Sequence, residues 1–433
     1  MSPNEIGYFA FTRKAAHEAR DRAVARFTLD PEKDFVYFRT LHSLAFQMLG
    51  MTGSQVLGDR NLSDFGKKTG VDLSSGGSEH ISDDGFVLLK SNNPVMRAID
   101  LARNSMKGAR HAYNHVELSI PFYEFEHLFK EYERFKHNNG LRDFTDMMVE
   151  LSEKPSAIPR LKVCFLDEAQ DLTPLQWKVA HLLNDKSDRM FVAGDDDQGI
   201  YRWAGADINH FVTLDGGSEV LSQSYRVPRN VHTVANNVVQ RIRYRQKKSW
   251  LPRTESGSVE RVYDPSTVSF NGDNWLILAQ ANYMLDELAD RLTSNGQYFE
   301  RKGHASLKKN VRNAISTWNH IQSSPAFGLE ATDGEWDTVL DRISDEDRVY
   351  ASALLNRGVN IFEKPKIKLS TIHGAKGGEA DNVLLYLDLS TKALHEMEKN
   401  PDDAHRVLYV GLTRAKQNLV LKMPEDPQRG WAI

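Results

Sequence analysis

Acidic and amide side chains follow two apolar runs near the middle of the chain, where they could bind a metal and activate water. Asp167 and Glu168 come directly after the run 163–166, and three aspartates and Gln198 come soon after the run 190–193. Neighbouring acids at a strand end suit ligation of Mg²⁺ by one carboxylate and activation of a water by the other. Taken alone, Asp167 and Glu168 are equally typical of an ordinary turn before a helix. The second acidic strand end favours the chemical interpretation.

An aromatic–basic–aromatic group, Tyr201, Arg202 and Trp203, follows the second acidic strand end. Exposed aromatics beside a polar amide would couple a nucleotide site to a platform on which bases stack. On composition alone, packing of Tyr201 and Trp203 in the core is an equal alternative. A different aromatic stripe, spaced along a predicted helix at 122–137, is more typical of core packing than of base stacking.

Short apolar runs alternate with helical patterns, which predicts βαβ units and parallel sheets. Ligands of such sheets lie at the carboxyl ends of the strands, where the acids occur. The predicted strands are 6–11, 35–38, 163–166, 190–193, 275–279, 368–372, 383–387 and 419–421. The predicted helices are 12–27 with Thr12 as N-cap, one from near Ser43, 122–137, 143–151, 174–183, 231–243, 284–293 and 403–413. Gly, Ser and Asp concentrate in 52–84, which predicts a mobile insertion with short helices.

Composition limits the classes of protein and partner. The chain has 433 residues, 40% of them hydrophobic and 26% charged, which is typical of a globular protein of several domains. The formal net charge is -4, so a nucleic-acid surface must be a local groove. The runs 241–253 and 301–312 are purely basic among their charges, yet a solvated face explains each more often than a nucleic-acid patch. One cysteine excludes a disulfide framework and fits a reducing compartment such as the cytoplasm, and no apolar run is long enough to cross a membrane.

Seven short segments, taken in order, resemble the motifs of the UvrD/Rep-type helicases of superfamily 1, and chance is a poor explanation for all seven. The segments are FTRKAA at 11–16, TLH at 40–42, DEAQDL at 167–172, the stretch 194–206, LSQSYR at 221–226, KLSTIHGAKGGE at 368–379 and RVLYVGLTRAK at 406–416.

The resemblance implies ATP and Mg²⁺ as cofactors. Asp167 would hold Mg²⁺, Glu168 would activate the attacking water, and Gln198 would sense the γ-phosphate. The second lobe would stack on adenine, bind the ribose and neutralise phosphate charge, through Tyr225, Glu379, and the pair Arg226 and Arg414.

The resemblance also implies single-stranded DNA as the partner, with duplex DNA at a junction as a further one. Three aromatics would stack on bases or wedge between them: Phe11, Tyr201 and Trp203. Five residues would contact the DNA backbone: Thr12, Lys14, Thr40, His42 and His373. The full-length relative would be an ATP-driven motor that moves 3′ to 5′ in DNA repair or replication.

The chain departs from the family pattern at several points. No Gly-x-x-x-x-Gly-Lys-Ser/Thr segment occurs, and only ten residues precede Phe11, where the family places that P-loop earlier. We therefore expect a fragment of a longer protein, or one half of a split enzyme whose P-loop comes from a separate polypeptide. Ala204 stands where the family has Arg, which puts one DNA or phosphate contact in doubt. Gly378 and Ala380 flank Glu379 in place of Leu and Phe.

These observations predict an α/β fold of two RecA-like lobes with parallel sheets, of the P-loop NTPase type. The first lobe would comprise 1–43 and 159–217, N-terminally truncated, with a helical insertion over 44–158. The second would comprise 218–300 and 367–433, with a small insertion over 301–366. The competing hypothesis is a fragment that binds single-stranded DNA or a protein partner and hydrolyses nothing. A helicase–nuclease is disfavoured because no nuclease-type cluster of acids and lysine follows Arg414.

Overall fold

A computed structural model describes residues 2–27, 29–31, 33–71, 93–323, 336 and 343–433. The chain divides into two compact units, Met1–Gly217 and Ser218–Ile433. Each unit is built on a sheet of mainly parallel strands with helices packed on it, which confirms the predicted α/β fold of two RecA-like lobes. The predicted boundaries of the two insertions stay predictions. No helix in the described ranges is long and apolar enough to span a membrane.

The sheet of the first unit has four parallel strands in the order β2-β1-β3-β4. They are β1 (Ile6–Phe9), β2 (Phe38–Arg39), β3 (Leu161–Leu166) and β4 (Ser187–Val192). Phe9 lies opposite Leu166, and Leu166 lies opposite Val192, so three strands end at one level. The segments that follow them, which carry Phe11, Asp167 and Asp195, therefore begin side by side.

The two faces of this sheet differ in burial because side chains alternate along a strand. Phe9, Cys164 and Leu166 point to a face where they are buried among helices α2 (Leu41–Met48), α7 (Phe144–Ser152) and α8 (Pro174–Asp185). Burial raises the pKa of the Cys164 thiol to about 12, so it stays a neutral core group. The opposite face carries Tyr8 and Phe165, which are only partly buried or exposed.

Four helices of the first unit form a second core beside the sheet: α3 (Asp59–Thr69), α4 (Pro94–Asn104), α5 (Gly108–His115) and α6 (Phe122–Asn138). The other helices of this unit are α1 (Arg13–Phe27) and the short α9 (Ile208–Val212). Phe125 and Tyr132 of α6 are fully buried, which confirms that its aromatic stripe packs in the core. Of the predicted insertion at 52–84, the part from 72 onward lies outside the described residues.

The sheet of the second unit has seven strands in the order β5-β11-β10-β6-β9-β7-β8, all parallel except the β7–β8 pair. The strands are β5 (Ser258–Val262), β6 (Trp275–Ala279), β7 (Phe299–Arg301), β8 (His304–Ala305), β9 (Ile367–Thr371), β10 (Ala380–Tyr386) and β11 (Ala415–Lys422). The helices are α10 (Arg229–Val239), α11 (Asp286–Ser294), α12 (Lys309–Ser323), α13 (Asp345–Asn356), α14 (Thr391–Lys399) and α15 (Pro401–Leu412).

Several predicted bounds were wrong for local reasons. The strand predicted at 35–38 is only Phe38–Arg39, because the N–H of Phe38 donates to the carbonyl of Phe35 and closes a turn. The strand predicted at 6–11 ends at Phe9. The helix predicted from Ser43 begins at Leu41, because Thr40 caps it. The predicted cap at Thr12 is confirmed by its Oγ1, which accepts a bond of 3.1 Å from the N–H of Ala15.

Candidate nucleotide site and DNA-contact residues

Asp167 lies at the end of β3 with both carboxylate oxygens engaged. Oδ1 accepts a hydrogen bond of 2.9 Å from the N–H of Glu168, and Oδ2 accepts one of 2.5 Å from the hydroxyl of Tyr8. Glu168 itself has a φ of 54°, a left-handed conformation that is uncommon for residues other than glycine and concentrates at functional sites.

Gln170 ties the two acidic strand ends together, a role that sequence reasoning missed although the DEAQD segment contains it. Its Nε2 donates to Oε2 of Glu168 at 2.5 Å, and its Oε1 accepts from the N–H of Asp195 at 2.9 Å. The side chain is completely buried. A Cβ at Gly194 would come 2.5 Å from Oε1 of Gln170, so this close approach requires glycine.

Asp195 holds the turn after β4. One carboxylate oxygen accepts from the N–H of Asp197 at 3.2 Å, and the other accepts from Nε2 of Gln198 at 2.7 Å. The carboxylates of Asp195, Asp196 and Asp197 lie within 4.8 Å of one another. The fold thus brings Glu168 and Gln198, two residues predicted to act at one site, to neighbouring strand ends joined through Gln170 and Asp195.

The donor groups at these strand ends fit one part of an ATP·Mg²⁺ site. Carboxylate oxygens such as those of Asp167 are the ligands that Mg²⁺ prefers. Binding of the phosphates needs different groups, namely the backbone N–H donors of a glycine-rich loop and a lysine. The 433 residues contain no segment of that pattern. The residues present therefore fit the metal and the water, and not the phosphates.

The second unit brings two of its predicted nucleotide residues, Arg226 and Glu379, close together. Nη1 of Arg226 lies 3.9 Å from Oε2 of Glu379, and Nζ of Lys416 lies 3.4 Å from the other oxygen of that carboxylate. Among the described residues, the buried Nε of Arg226 has no hydrogen-bond partner. The neighbouring Tyr225 ring is 87% exposed, so its face is open to a planar ligand.

Arg414 differs from its neighbours because its side chain is buried within the second unit. Nε donates to the carbonyl of Val410 at 2.9 Å, and Nη1 donates to the carbonyl of Gly378 at 3.2 Å. The second bond holds the backbone next to Glu379. The guanidinium has further N–H groups beyond these two bonds, and the predicted contact of Arg414 with phosphate stays a prediction.

The three predicted stacking residues lie in one row but differ in exposure. The rings of Phe11 and Tyr201 stack with centroids 5.6 Å apart, and Trp203 follows at 6.3 Å from Tyr201. Phe11 is buried, whereas Trp203 is 57% exposed. The buried Phe11 ring therefore packs against the Tyr201 ring, and Trp203 is the ring that presents most surface to a base.

The predicted backbone contacts occupy different environments. Thr40 is buried, and its Oγ1 accepts from the N–H of Ser43 at 3.2 Å, so in this structure it serves as a helix cap. Burial lowers the pKa of His42 to about 4, so the imidazole is neutral at physiological pH and offers a hydrogen bond rather than a charge. Lys14 is exposed near the start of α1, and Thr12 caps that helix. His373 lies partly exposed in the turn after β9 of the second unit.

A buried charge network supports the His42 region. Asp143, which caps α7, accepts hydrogen bonds from Arg103 at 2.6 Å, Lys136 at 2.8 Å and the Tyr132 hydroxyl at 2.9 Å. Burial raises the pKa of Asp143, but the two cations outweigh that effect and hold it well below its usual range. The next residue, Phe144, meets the His42 ring edge-on at 5.9 Å.

Comparisons with known proteins match the chain to two helicase domains. The UvrD/REP helicase N-terminal domain matches residues 1–217, and the UvrD-like helicase C-terminal domain matches residues 339–425. A probable DNA helicase of Mycoplasma pneumoniae is 26% identical over 457 residues, which cover 97% of this chain and 75% of that protein. The ATP-dependent DNA helicase PcrA of Staphylococcus epidermidis is 24% identical over 318 residues, 69% of this chain and 41% of that protein.

Other matches are shorter or looser. The PcrA helicase of Bacillus subtilis is 23% identical over 286 residues, 59% of this chain and 36% of that protein. The chain thus spans about two fifths of the PcrA proteins that it matches. The structure of the PRRSV helicase aligns with a TM-score of 0.28 at 15% identity, over 64% of this chain and 37% of that one, which is too loose to support an argument.

Proposed function

Because the chain belongs to the UvrD/Rep helicase family, we propose that it is the motor part of an ATP-dependent translocase that moves 3′ to 5′ along single-stranded DNA. The observation that carries this proposal is the Gln170 bridge, which joins Glu168 at one strand end to Asp195 and Gln198 at the next. The direction of movement rests on the resemblance of the motifs to that family.

In this proposal each strand end has a defined task. Asp167 holds Mg²⁺, and Glu168 takes the proton of the attacking water, with its carboxylate oriented by the amide of Gln170. Gln198, anchored on Asp195, responds to the terminal phosphate. Bound ATP·Mg²⁺ supplies the electrophilic phosphorus and the cation that offsets its charge.

The second unit contributes recognition of the nucleotide. The exposed Tyr225 ring stacks on the base, and Glu379 accepts from the ribose hydroxyls. Nε of Arg226, for which the described part of the chain offers no hydrogen-bond partner, is a donor suited to a phosphate oxygen. Arg414 acts first as a positioning residue, because it grips the carbonyl of Gly378 beside Glu379.

We propose that the motor moves along single-stranded DNA and meets duplex DNA at a junction. Trp203 stacks on a base, and the stacked Phe11–Tyr201 pair beside it holds the Trp203 ring in position. Lys14 and the neutral His42 contact the DNA backbone, the first by charge and the second by a hydrogen bond. Binding through few charges on an acidic chain should be weak, and the part that the charge of Lys14 contributes should fall as salt rises.

A second candidate is favoured for residues 1–433 by one observation, the lack of a Gly-x-x-x-x-Gly-Lys-Ser/Thr segment. Without that grip the chain would bind single-stranded DNA or a protein partner and would not hydrolyse ATP. A coupled ATPase assay with and without oligo-dT separates the candidates. DNA-stimulated turnover that Glu168→Gln abolishes supports the motor, and DNA binding without turnover supports the binding module.

Polarity needs its own experiment once turnover is obtained. Strand displacement is measured on two partial duplexes, one with a 3′ single-stranded tail and one with a 5′ tail. Unwinding that requires the 3′ tail supports the proposed direction, whereas equal or preferential unwinding from the 5′ tail contradicts it.

A further inference from the structure

Two histidines that the proposed function does not use meet at the surface of the first unit. His181 lies in α8, and His210 lies in the short helix α9. Their Nε2 atoms are 2.9 Å apart, while the centroids of the two rings are 5.0 Å apart. The rings therefore meet through their nitrogen atoms and not through their faces.

The fold holds both rings in place. Trp177 is buried one helical turn before His181, and the centroid of its ring lies 6.1 Å from that of His181 and 4.5 Å from that of His210. Asp207 caps α9, because its Oδ1 accepts a hydrogen bond of 3.1 Å from the N–H of His210. Since the two rings come from separate helices, their meeting depends on the tertiary structure of this unit.

The two facing nitrogens differ in protonation. At this distance they share one hydrogen, so one Nε2 is the donor and the other presents a lone pair. Burial, together with the charge of His181, lowers the pKa of His210 and favours its neutral imidazole, against the opposing effect of Asp207. A neutral imidazole nitrogen is the form that binds a metal ion.

The distance between the nitrogens suits two ligands of one metal ion. Bonds from a metal to imidazole are ~2.0–2.1 Å long, so two such nitrogens at angles of about 90–109° lie roughly 2.9–3.4 Å apart. The observed 2.9 Å falls at the lower end of that range, which corresponds to neighbouring positions of a square-planar or octahedral ion. Imidazole pairs suit Ni²⁺, Cu²⁺ and Zn²⁺, whereas Mg²⁺ prefers oxygen ligands.

We propose that His181 and His210 form a binding site for a divalent ion of a late first-row transition metal, namely Ni²⁺, Cu²⁺ or Zn²⁺. Both Nε2 atoms are ligands, each ring carries its proton on Nδ1 in the bound state, and water fills the other positions. The ion ties α8, which follows the acidic end of β3, to α9, which follows the segment with Gln198 and Trp203. This inference goes beyond the proposed function and does not depend on ATP hydrolysis.

The first test is calorimetric titration of the purified 433-residue chain with Ni²⁺. The protein carries no polyhistidine tag, and excess Mg²⁺ occupies the carboxylates. We expect saturable binding of one ion per chain, weakened at least about tenfold by His181→Gln, because even the loss of a group that only orients a ligand costs ~10–100-fold in metal affinity. His181 is exposed, so the variant without metal should melt at nearly the parental temperature.

A second histidine pair provides the matched control. His111 and His115 lie one turn apart on α5, with ring centroids 4.0 Å apart. The double substitution His111→Gln/His115→Gln also removes imidazoles from the surface, but it leaves the proposed ligands in place. Binding of Ni²⁺ by this variant should match that of the parent chain.

Two further measurements identify the ligands and the effect on the fold. Electron paramagnetic resonance of the Cu²⁺ complex should show hyperfine splitting from two imidazole nitrogens in the parent chain and should lose it in His181→Gln. Saturating Ni²⁺ should raise the melting temperature of the parent chain by a few degrees, because an ion that joins two helices binds the folded state alone. The melting temperature of His181→Gln should not rise.

Several results would overturn the proposed site. One is the absence of saturable Ni²⁺ binding in the presence of Mg²⁺. Another is binding that His181→Gln leaves intact or that the α5 double variant abolishes. A Cu²⁺ spectrum with oxygen ligands alone would assign the ion to carboxylates instead. None of these results bears on the proposed motor, whose tests are turnover and DNA binding.

Discussion

The hydroxyl of Tyr8 donates a hydrogen bond of 2.5 Å to Oδ2 of Asp167, across two neighbouring strands. Burial and the adjacent carboxylate raise the pKa of Tyr8 above its usual value, so the phenol keeps its proton and remains a donor. The same carboxylate accepts from the N–H of Glu168 through its other oxygen. A metal at Asp167 must therefore share or displace the phenol.

Tyr8→Phe should strengthen the binding of a divalent cation. The substitution removes a donor that competes for a carboxylate oxygen and keeps the ring stacked on Phe38. A hydrogen bond to a charged group contributes ~1.5–3 kcal/mol, so we expect Mn²⁺ to bind about tenfold more tightly or better. Mn²⁺ titration followed by electron paramagnetic resonance measures this, with Tyr123→Phe as control. Weaker binding would mean that Tyr8 orients Asp167 for the metal.

Glu168→Gln should abolish turnover in a chain supplied with a phosphate loop and should preserve ATP binding. The amide oxygen of the new side chain can still accept from Gln170, so the local geometry is kept while the base is lost. A positioned base contributes ~10²–10⁴-fold to the rate. Steady-state ATPase and a fluorescent-ATP titration test this, with the exposed Glu153→Gln as control. Retention of more than about a tenth of the parental rate contradicts the assignment.

Gln170→Ala should destabilise the first unit. The substitution leaves the N–H of Asp195 without its acceptor and empties a completely buried position. A buried polar group left unsatisfied costs about 1–3 kcal/mol, and the lost side-chain volume adds to that. Urea denaturation should show a lower midpoint. An unchanged midpoint would show that water replaces the amide at no cost.

Trp203→Ala and Phe11→Ala should affect different properties, the first DNA binding and the second the stability of the fold. Trp203 is exposed, so its loss should weaken oligo-dT binding by ~1–3 kcal/mol and leave the melting temperature nearly unchanged. Phe11 is buried, so its loss should lower the free energy of unfolding by about 3–5 kcal/mol. Fluorescence titration and thermal melts distinguish the two. A large drop in the melting temperature of Trp203→Ala with unchanged DNA affinity would make that indole structural.

Asp100 should make the stability of the first unit fall as pH rises. Burial, with a smaller contribution from the charge of Asp143, raises the pKa of Asp100 to about 8. The folded state thus binds a proton that the unfolded state releases near pH 4, so the contribution of Asp100 to stability is greatest below that pH and declines up to about pH 8. The slope is at most about 1.4 kcal/mol per pH unit. Asp100→Asn should flatten this part of the profile in denaturation curves at pH 5 to 8, and an unaltered slope would assign it to other groups.

Periodicity predicted those elements whose residues are buried in a simple pattern. Strand Trp275–Ala279 is buried at every position, and its bounds agree with the predicted ones. Strand Ser258–Val262 was missed, because it lies at the edge of its sheet with no fully buried residue. Whether a short polar segment pairs as a strand therefore depends on contacts with residues distant in the chain. A single sequence does not show those contacts.

The residues of the candidate site likewise differ in how far the sequence predicts their positions. The acids at the ends of β3 and β4 could be predicted because parallel strands end together, whatever the details of packing. The inward orientation of Arg414 and the capping role of Thr40 could not, because their partners are backbone groups, whose identity the side-chain pattern does not show. Gln170 had a recognisable position in the motif, but its second partner, Asp195, comes from another strand end.

The Gln170 bridge also couples the two strand ends, because one side chain forms hydrogen bonds with both of them. Its Nε2 senses the charge on Glu168, and its Oε1 holds the backbone that leads to Gln198 and onward to Trp203. When Glu168 gains a proton, the bond it accepts from the amide weakens, since a neutral acceptor is poorer than a carboxylate. One buried amide thereby links the protonation of Glu168, the proposed water-activating group, to the segment that carries Trp203, the proposed base-stacking ring.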